Sequence, residues 1–178
     1  PGKHNVLNAL AAIAAARALH ISDTAVKEGL MEFGGTHRRF EVKGTKNGVT
    51  VIDDYAHHPT EIAATLSAAR NYPHKRIFCV FQPHTYSRTL KLFEEFSNAF
   101  AGVDELILAD IYPAREKDTG VVSSAMLSDK INENGQKCIN LHTYDEIADY
   151  LNKTMTNGDV LFTIGAGDVY KIGEMYLR

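Results

Sequence analysis

Two clusters of reactive side chains lie in the central part of this 178-residue sequence. The first extends from Asp53 to Glu61 and combines aspartates, a tyrosine and a pair of histidines. The second extends from Gln82 to Thr89 and contains His84, a tyrosine and Arg88. A guanidinium binds a carboxylate through parallel hydrogen bonds, and imidazole and phenol groups donate or accept hydrogen bonds. These side-chain types predict a binding site for one small ligand that carries a carboxylate.

Each cluster follows an apolar run that is typical of a buried strand, Val49 to Ile52 for the first and Ile77 to Phe81 for the second. In open α/β sheets, ligands bind at the carboxyl ends of the strands, and parallel strands end at the same edge. Pro59 suits the first position of a following helix, where its missing N–H costs nothing. A single histidine or arginine in a loop is usually solvated surface, but two clusters at strand ends favour a shared functional site.

A metal site is one alternative for these side chains. Adjacent histidines rarely ligate one ion, and the sequence has no spacing that is typical of zinc sites. We therefore predict no dedicated metal site. The residues considered as metal ligands are Asp53, Asp54, His57, His58 and His84.

Two further motifs have more than one interpretation. The run Thr163 to Asp168 places glycines between a predicted strand and a predicted helix, which suits either an anion-binding turn or a tight structural turn. Asn5 and Asn8 are three residues apart and share one face of a helix, so their amides suit the edge of a nucleobase. Asn5 alone also suits a helix cap.

Two charged segments flank the clusters. Arg38 and Arg39 suit either a phosphate group or an ion pair with Glu41, and spacing alone does not decide between them. The least regular segment, Tyr112 to Val122, is charged and contains glycine, which suits a mobile loop beside the site.

The elements that position these clusters are predicted from hydrophobic periodicity and turn residues. Val6 to Leu19 and a second helix from Ser22 to Phe33 form a helical hairpin, and a domain boundary is expected at Gly34 to His37. Strands and helices then alternate with a spacing of about 25–30 residues, as in βαβ units. The predicted strands are residues 39–43, 49–52, 77–81, 106–109, 138–141 and 160–164. The predicted helices are residues 63–72, 90–100, 124–132, 144–153 and 169–177.

This alternation predicts an α/β fold, a three-layer sandwich around a mostly parallel, six-stranded, Rossmann-like sheet. The first strand meets the second through a turn at Lys46 to Gly48, so it is expected to be antiparallel. Thr143 and Glu146 fit a capping box at the start of the helix 144–153.

Composition narrows the class of protein. With 44% apolar and 23% charged residues the chain is typical of a globular protein, and its net charge of -3 gives no case for binding nucleic acid or an anionic membrane. Cys79 and Cys138 lie in predicted strands, which favours buried, reduced thiols in a cytoplasmic protein. No signal peptide and no apolar run of ~18 residues is visible. A start at Pro1 without an initiator methionine predicts a piece of a longer protein.

Together the motifs resemble those of the Mur ligases over nearly the whole chain. This family has a UDP-sugar-binding domain, a central ATP-binding domain with a P-loop and a C-terminal domain that binds the incoming amino acid. The sequence has no P-loop, Gly-x-x-x-x-Gly-Lys-Ser/Thr. The resemblance therefore implies that residues 1–35 are a helical remnant of the central domain and residues 36–178 are the C-terminal domain. The motifs are Gly-x-His-Asn-x-x-Asn-Ala from Gly2, His-Arg-Arg-Phe-Glu from His37, Asp-Asp-Tyr-Ala-His-His-Pro-Thr-Glu from Asp53, Phe-Gln-Pro-His-Thr-Tyr-Ser-Arg-Thr from Phe81 and Gly-Ala-Gly-Asp from Gly165.

The resemblance implies ATP-driven amide formation through an acyl phosphate. ATP and Mg²⁺ are the expected cofactors, with the Mg²⁺ ligands in parts of the protein outside this chain. The histidine pair and the Gln-Pro-His segment point to ligation of L-alanine to UDP-N-acetylmuramate, a cytoplasmic step of peptidoglycan precursor synthesis that serves cell shape and division. The chain alone is expected to fold but not to ligate, because phosphoryl transfer needs the P-loop and Mg²⁺.

Three alternatives to this function are considered. A recycling ligase of the same family joins a preformed murein peptide to the same sugar nucleotide. A stand-alone nucleotide-binding regulatory module would use Gly165 to Asp168 as its anion site. A metal-dependent hydrolase would use the histidines as ligands.

The resemblance also assigns contacts with ATP. Asn5 and Asn8 are expected to contact adenine. Arg39 is expected near the phosphates and Asp54 near the ribose when the C-terminal domain closes on the other two domains.

The resemblance places the alanine pocket at Tyr55, His57 and Arg88, with His84 beside them. Arg88 and His57 are the expected catalytic residues, since Arg88 would hold the alanine carboxylate and His57 would accept a proton from the ammonium group. Thr85 stands where many members of the family have a second arginine, so a clamp of two guanidinium groups is not implied here.

Overall fold

The computed structural model describes residues 3–178, with side chains from Asn5 onward. This part of the chain divides into two compact units, of which the first ends at His37 and the second is Arg38–Arg178. Within the described residues, no helix combines the length and the apolar character that are needed to cross a bilayer.

The first unit is a pair of helices, α1 (Lys3–Ala18) and α2 (Asp23–Glu32). The hydroxyl of Ser22 accepts a hydrogen bond from the backbone N–H of Ala25 and caps α2. This satisfies one of the N–H groups that have no partner in the first turn of a helix. The predicted helical hairpin and its cap are confirmed.

The second unit alternates strands and helices. Its strands are β1 (Glu41–Lys46), β2 (Val49–Asp54), β3 (Ile77–Phe81), β4 (Glu105–Leu108), β5 (Cys138–Asn140) and β6 (Val160–Ile164). Its helices are α3 (Pro59–Ala69), α4 (Tyr86–Lys91), α5 (Phe93–Ser97), α6 (Ser124–Glu133), α7 (Tyr144–Thr154) and α8 (Tyr170–Leu177).

The strands form one six-stranded sheet in the order β1-β2-β6-β3-β4-β5. β1 is antiparallel to β2, and the remaining pairs are parallel. Residues Asp54 of β2, Ile164 of β6 and Phe81 of β3 lie at one level of the sheet, because each of the outer two pairs with Ile164. The predicted mostly parallel sheet with an antiparallel first strand is confirmed, and these three strands end together.

Helices cover both faces of the sheet. On β3, alternate residues point to opposite faces, so Cys79 and Phe81 join one buried cluster while Phe78 and Val80 join the other. The first cluster includes residues of α3, α5 and α6, and the second includes residues of α7 and α8. This is the predicted three-layer sandwich. The two cysteines are buried and free, as predicted, and burial raises the pKa of the Cys138 thiol to about 11.

Several predicted elements differ from the structure by a few residues at their ends, and the helix predicted at residues 63–72 is α3, Pro59–Ala69. Two of the differences affect the site. The helix predicted at residues 90–100 is two helices, α4 and α5, because Leu92 between them has φ −112° and ψ 27°. The earlier start of α4 places Arg88 inside a helix. The first strand begins at Glu41 and not at residue 39, since Arg38 and Phe40 have φ values of 56° and 47°, which no strand accommodates.

The connection from β6 to α8 lies close against the end of β3. Gly165 has a φ of 149°, and a Cβ atom at this position would lie 2.8 Å from the backbone oxygen of Gln82. A Cβ atom on Gly167 would lie 2.7 Å from the ring of Tyr112. Gly165 therefore permits a close approach of backbone to backbone, and Gly167 permits a close approach of backbone to an aromatic ring, which larger residues would block.

We expect Gly165→Ala to lower the free energy of unfolding by about 1–3 kcal/mol, because the new methyl group forces a strained backbone conformation or a shift of β3. The matched control is Gly29→Ala in α2, where a Cβ atom has no neighbour within 4 Å. Alanine there gains helix propensity and should leave stability equal or higher. Chemical denaturation followed by circular dichroism measures both changes, and equal stability of the Gly165 variant and the parent would contradict the close approach.

Candidate functional site

The two polar clusters meet at the carboxyl edge of the sheet. The ring centroids of Tyr55 and His57 are 5.5 Å apart, and those of His57 and His84 are 6.3 Å apart. Arg88 continues the series, with Nη1 at 3.3 Å from Nδ1 of His84. The structure thus brings together all four side chains predicted for the amino-acid pocket. We call Tyr55, His57, His84 and Arg88 the carboxyl-edge row.

The start of α3 fixes the position of His57. Glu61 accepts hydrogen bonds at Oε2 from the backbone N–H of His57 at 3.0 Å and from that of His58 at 3.3 Å. The ring of His58 in turn accepts a hydrogen bond from the N–H of Thr60, which completes a capping box, and Pro59 occupies the first helical turn as predicted. The same Oε2 lies 3.6 Å from Nδ1 of His57.

Glu61 is an ionised group beside the row. Partial burial raises the pKa of its carboxyl, but the hydrogen bond from the N–H of His57 and the charges of His57 and Arg39 outweigh this, so the pKa is below its ordinary value. The negative charge of Glu61 therefore lies between His57 and Arg39.

His84 is a neutral acceptor in the row. Burial lowers the pKa of its imidazole, and the charges of Arg88 and His57 lower it further. A guanidinium has only donors, so Nδ1 of His84 accepts the hydrogen bond from Arg88 and the ring proton resides on Nε2. The imidazole also stacks on Tyr112, with centroids 5.5 Å apart and an interplanar angle of 18°. His84 therefore orients the guanidinium of Arg88.

Arg38 is bound inside the protein and is not available to a ligand. Its Nε donates to Oδ2 of Asp53 at 2.7 Å, and its Nη atoms donate to the carbonyl oxygens of Gly165 and Gly167 at 2.8 Å and 3.1 Å. Asp53 is 1% exposed, and its other oxygen accepts a hydrogen bond from the hydroxyl of Thr163. The sequence suggested that Arg38 binds a phosphate or forms an ion pair with Glu41. Its guanidinium instead forms an ion pair with Asp53.

Arg39 occupies the rim of the site. Its side chain is 46% exposed, with Nη1 at 4.0 Å from Oε1 of Glu61 and the guanidinium at 5.8 Å from the ring centroid of Tyr55. The residues on either side are anchored, since Arg38 is paired with Asp53 and Phe40 packs in the core. Of the two arginines, Arg39 is the one whose side chain a ligand reaches.

Asp54 lies beneath the rim. It is 4% exposed, its Oδ1 accepts a hydrogen bond from the N–H of Ala56 at 2.8 Å, and its Oδ2 accepts one from the N–H of Phe40 at 2.9 Å. Burial raises the pKa of this carboxyl, against the opposing effect of those hydrogen bonds, the charge of Arg39 and a bond from Thr65. Asp54 organises the turn after β2. A carboxylate has about four acceptor positions, and the bonds from Ala56, Phe40 and Thr65 occupy three of them.

Asn5 and Asn8 belong to the first unit and lie on α1. Both side chains are exposed, and Nδ2 of Asn8 donates to Oδ1 of Asn5 at 3.2 Å. They therefore share a helix face, as their spacing predicts. α1 begins at Lys3, so Asn5 is inside the helix and the alternative of a helix cap is wrong.

The glycine run after β6 forms a tight turn. Its carbonyl oxygens face the guanidinium of Arg38, and the N–H of Gly165 donates to the backbone oxygen of Asp54 at 3.0 Å. Asp168 pairs with Lys171 at 2.7 Å. This hydrogen bonding supports the structural interpretation of the run over an anion site.

The candidate metal ligands have other partners in the structure. Asp53 pairs with Arg38 and His58 caps α3. Across the part of the chain that the structure describes, no group of three or more histidine, cysteine, aspartate or glutamate residues is arranged to hold a metal ion.

Sequence reasoning missed two residues that adjoin the row. Tyr112 stacks on His84, and Glu116 accepts hydrogen bonds from the backbone N–H and the hydroxyl of Ser87. Both belong to the irregular segment that was expected to lie beside the site. The segment itself was detectable from its composition, but nothing in its spacing distinguishes these two residues from their neighbours.

A doubly covered, mostly parallel sheet with a polar row at its carboxyl edge defines an α/β domain of the class in which ligands bind at that edge. Residues 38–167 match the family described as Mur ligase, glutamate ligase domain. The chain belongs to the Mur ligase family, which confirms the resemblance inferred from the motifs.

Named relatives cover the chain almost completely. The chain is 68% identical over 177 residues to UDP-N-acetylmuramate–L-alanine ligase of Clostridium acetobutylicum. This alignment covers 99% of the chain and 39% of that relative. Among solved structures, UDP-N-acetylmuramate-alanine ligase MurC of Thermotoga maritima has a TM-score of 0.80 and 31% identity, over 99% of the chain and 37% of that structure. A murein peptide ligase of Psychrobacter arcticus has a TM-score of 0.72 and 27% identity, with coverage of 99% and 37%. The chain thus spans about two-fifths of the length of such relatives.

We expect Arg38→Met to lower the free energy of unfolding by about 3–5 kcal/mol, because it leaves the carboxylate of Asp53 buried without a counter-charge. Arg38→Met combined with Asp53→Leu removes both charges and should recover part of the loss. As a control for a surface ion pair, Lys137→Met should cost less than about 1 kcal/mol. Denaturant titration measures all three, and a cost for Arg38→Met equal to that of the control would contradict the structural role.

We expect the low-pH stability of the protein to depend on His84. The pKa of His84 in the folded state is below its ordinary value of 6.5. As the pH falls below 6.5 toward the folded-state pKa, the unfolded chain binds a proton that the folded protein does not bind. The free energy of unfolding therefore decreases over that range and is unaffected by His84 at higher pH. His84→Gln keeps an acceptor and removes the titration. Between about pH 7 and pH 5, the free energy of unfolding of the parent should fall more steeply than that of the variant. His74→Gln controls for the loss of an exposed imidazole, and equal slopes for parent and His84→Gln would refute the expectation.

Proposed function

We propose that this chain is the amino-acid-binding part of an ATP-dependent ligase that joins L-alanine to UDP-N-acetylmuramate. The observation that carries the proposal is the carboxyl-edge row, which places a guanidinium, two imidazoles and a phenol within reach of one small zwitterion. The printed name of the relative that is 68% identical supports the choice of alanine and of the sugar nucleotide.

The proposed division of labour follows the family. Residues 1–35 belong to the central ATP-binding domain of the longer protein, and residues 36–178 form the amino-acid-binding domain. ATP and Mg²⁺ bind mainly to the other parts of that protein, with Asn5 and Asn8 contacting adenine. The exposed, mutually bonded amides of this pair support that assignment because both present polar atoms on one helix face.

The proposed reaction proceeds in two steps. The muramate carboxylate oxygen attacks the γ-phosphorus of ATP, which forms an acyl phosphate and releases ADP. The amine of alanine then attacks the acyl carbon, and inorganic phosphate leaves. Holding both reactants in place provides much of the acceleration, since effective molarities of well-oriented groups reach about 10⁵–10⁸ M.

In the proposed pocket, Arg88 binds the alanine carboxylate. Neutral His84 holds the guanidinium through Nδ1 and thereby fixes its direction. The ammonium end then faces His57, which accepts a proton and frees the amine for attack. His57 is well placed for this role because its backbone is fixed by Glu61 and its ring is 25% exposed. Tyr55 forms the outer wall.

Two further residues serve the nucleotide in this proposal. Arg39 contacts the phosphate groups, which the exposure of its guanidinium at the rim supports. Asp54 accepts a hydrogen bond from a ribose hydroxyl at its remaining acceptor position, and its bond to the N–H of Phe40 keeps it next to Arg39.

The structure gives less support to the alternatives. The murein peptide ligase is 27% identical, against 68% for the alanine ligase, so recycling of a preformed peptide is the weaker candidate. A regulatory module with an anion site at the glycine run has little support, since the carbonyl oxygens of that run bind Arg38.

In the full-length protein, we expect Arg88→Ala to raise the KM for alanine by about 10- to 100-fold while the KM for ATP changes less than about twofold. The reason is that the lost guanidinium binds only the amino acid. Arg70→Ala is the matched control, because Arg70 caps the far end of α3 and donates to the carbonyl oxygen of Ala101. Steady-state assays of phosphate release measure these values. An equal rise in both KM values for Arg88→Ala would refute the pocket assignment.

A further inference from the structure

The turn that carries Arg88 has a strained backbone. Thr85 has φ 69° and ψ 142°, a region that is otherwise nearly reserved for glycine, and its side chain is β-branched. Such strain costs about 1–3 kcal/mol and persists only where surrounding interactions hold the residue in place. Thr85 lies between His84 and α4, so the strain determines the direction in which α4 leaves β3.

The irregular segment after β4 holds one side of this turn. The N–H of Thr85 donates to the carbonyl oxygen of Tyr112 at 2.8 Å, and the N–H of Tyr112 donates to that of Pro83 at 2.8 Å. The ring of Tyr112 stacks on His84. The backbone on the N-terminal side of Thr85 is therefore fixed by Tyr112.

Glu116 holds the other side. Its Oε2 accepts a hydrogen bond from the N–H of Ser87 at 2.8 Å, and its Oε1 accepts one from the hydroxyl of the same residue. The two bonds from Ser87 lower the pKa of the Glu116 carboxyl, which keeps it ionised. Arg88 follows Ser87 directly, so the carboxylate fixes the residue from which the guanidinium extends.

The use of both carboxylate oxygens distinguishes Glu116 from two other glutamates that cap helices. Glu61 accepts from His57 and His58 at Oε2 alone, and Glu146 accepts from the N–H groups of His142 and Thr143 at Oε2 alone. A glutamine at position 116 could keep both contacts, because its oxygen accepts from the N–H and its amide can donate to the oxygen of the Ser87 hydroxyl. A methionine removes both bonds at nearly the same side-chain length.

We propose that Glu116 is a positioning residue for Arg88 that acts through Ser87 and sets the affinity for the carboxylate of the amino-acid substrate. The identity of that substrate rests on the proposed function. Glu116 touches no reactant in this proposal. Its bonds to Ser87 hold the strained turn in the one orientation that aligns the guanidinium with its neighbour His84.

The test compares Glu116→Met with the matched control Glu146→Met in the full-length protein. We expect Glu116→Met to raise the KM for alanine by about tenfold while kcat and the KM for ATP change less than about twofold. Glu146→Met should change none of the three beyond that limit. Ser87→Ala should raise the KM for alanine, and the double variant Ser87→Ala/Glu116→Met should show less than the product of the two single effects, because both act on one contact.

A second measurement does not depend on turnover. Hydrogen–deuterium exchange of the amides of Tyr86–Lys91 should accelerate in Glu116→Met and stay unchanged in Glu146→Met. Unchanged exchange in Glu116→Met would overturn the proposal, and so would an equal rise in the KM values for alanine and ATP. Absence of alanine-dependent turnover by the unmodified protein would refute the proposed function before any variant is compared, and the exchange rates would still decide whether Glu116 holds the turn.

Discussion

The buried ion pair between Arg38 and Asp53 is the interaction on which the site depends. Asp53 is 1% exposed and is the last residue but one of β2, so its charge has no solvent to stabilise it and requires the guanidinium. The same guanidinium binds the carbonyl oxygens of the turn after β6 and lies 5.0 Å from the ring centroid of Tyr55. One side chain thereby connects the ends of two strands and supports the first member of the row. Because Arg39 is the next residue, the same pair also determines where the exposed side chain of Arg39 leaves the backbone.

The row and the carboxylate beside it combine groups of opposite electrostatic character. His84 is held neutral by burial and by the guanidinium of Arg88, whereas Glu61 stays ionised because backbone N–H groups bind its carboxylate. Neutral His84 is an acceptor for Arg88, and ionised Glu61 lies beside His57 and Arg39. The end of the pocket that is proposed to bind a carboxylate is therefore cationic, and the end that is proposed to receive the ammonium group has a carboxylate nearby. A zwitterion fits this arrangement in one orientation.

The strands that position the site could be predicted from the sequence because their apolar runs are interrupted only by turn residues. Ile77–Phe81 and Val160–Ile164 begin and end where their side-chain pattern predicts. The partner of Arg38 could not be predicted, since Asp53 is 15 positions away and the pairing follows from sheet geometry. The break at Leu92 and the strained turn at Thr85 have no local signal either. The turn at Thr85 is held by a contact with a distant segment, the bond between Thr85 and Tyr112.

All members of the row stand on segments that follow the strands, while the apolar core lies within the sheet and the helix faces that cover it. Side chains beyond the strand ends contribute little to that core, so they are free to diverge during evolution without loss of folding. Changes of side chain beyond the strand ends can therefore alter the chemistry of this edge while the sheet and its core stay the same. The sheet and its covering helices form the constant framework of the domain, and the segments at its carboxyl edge are the part that can change.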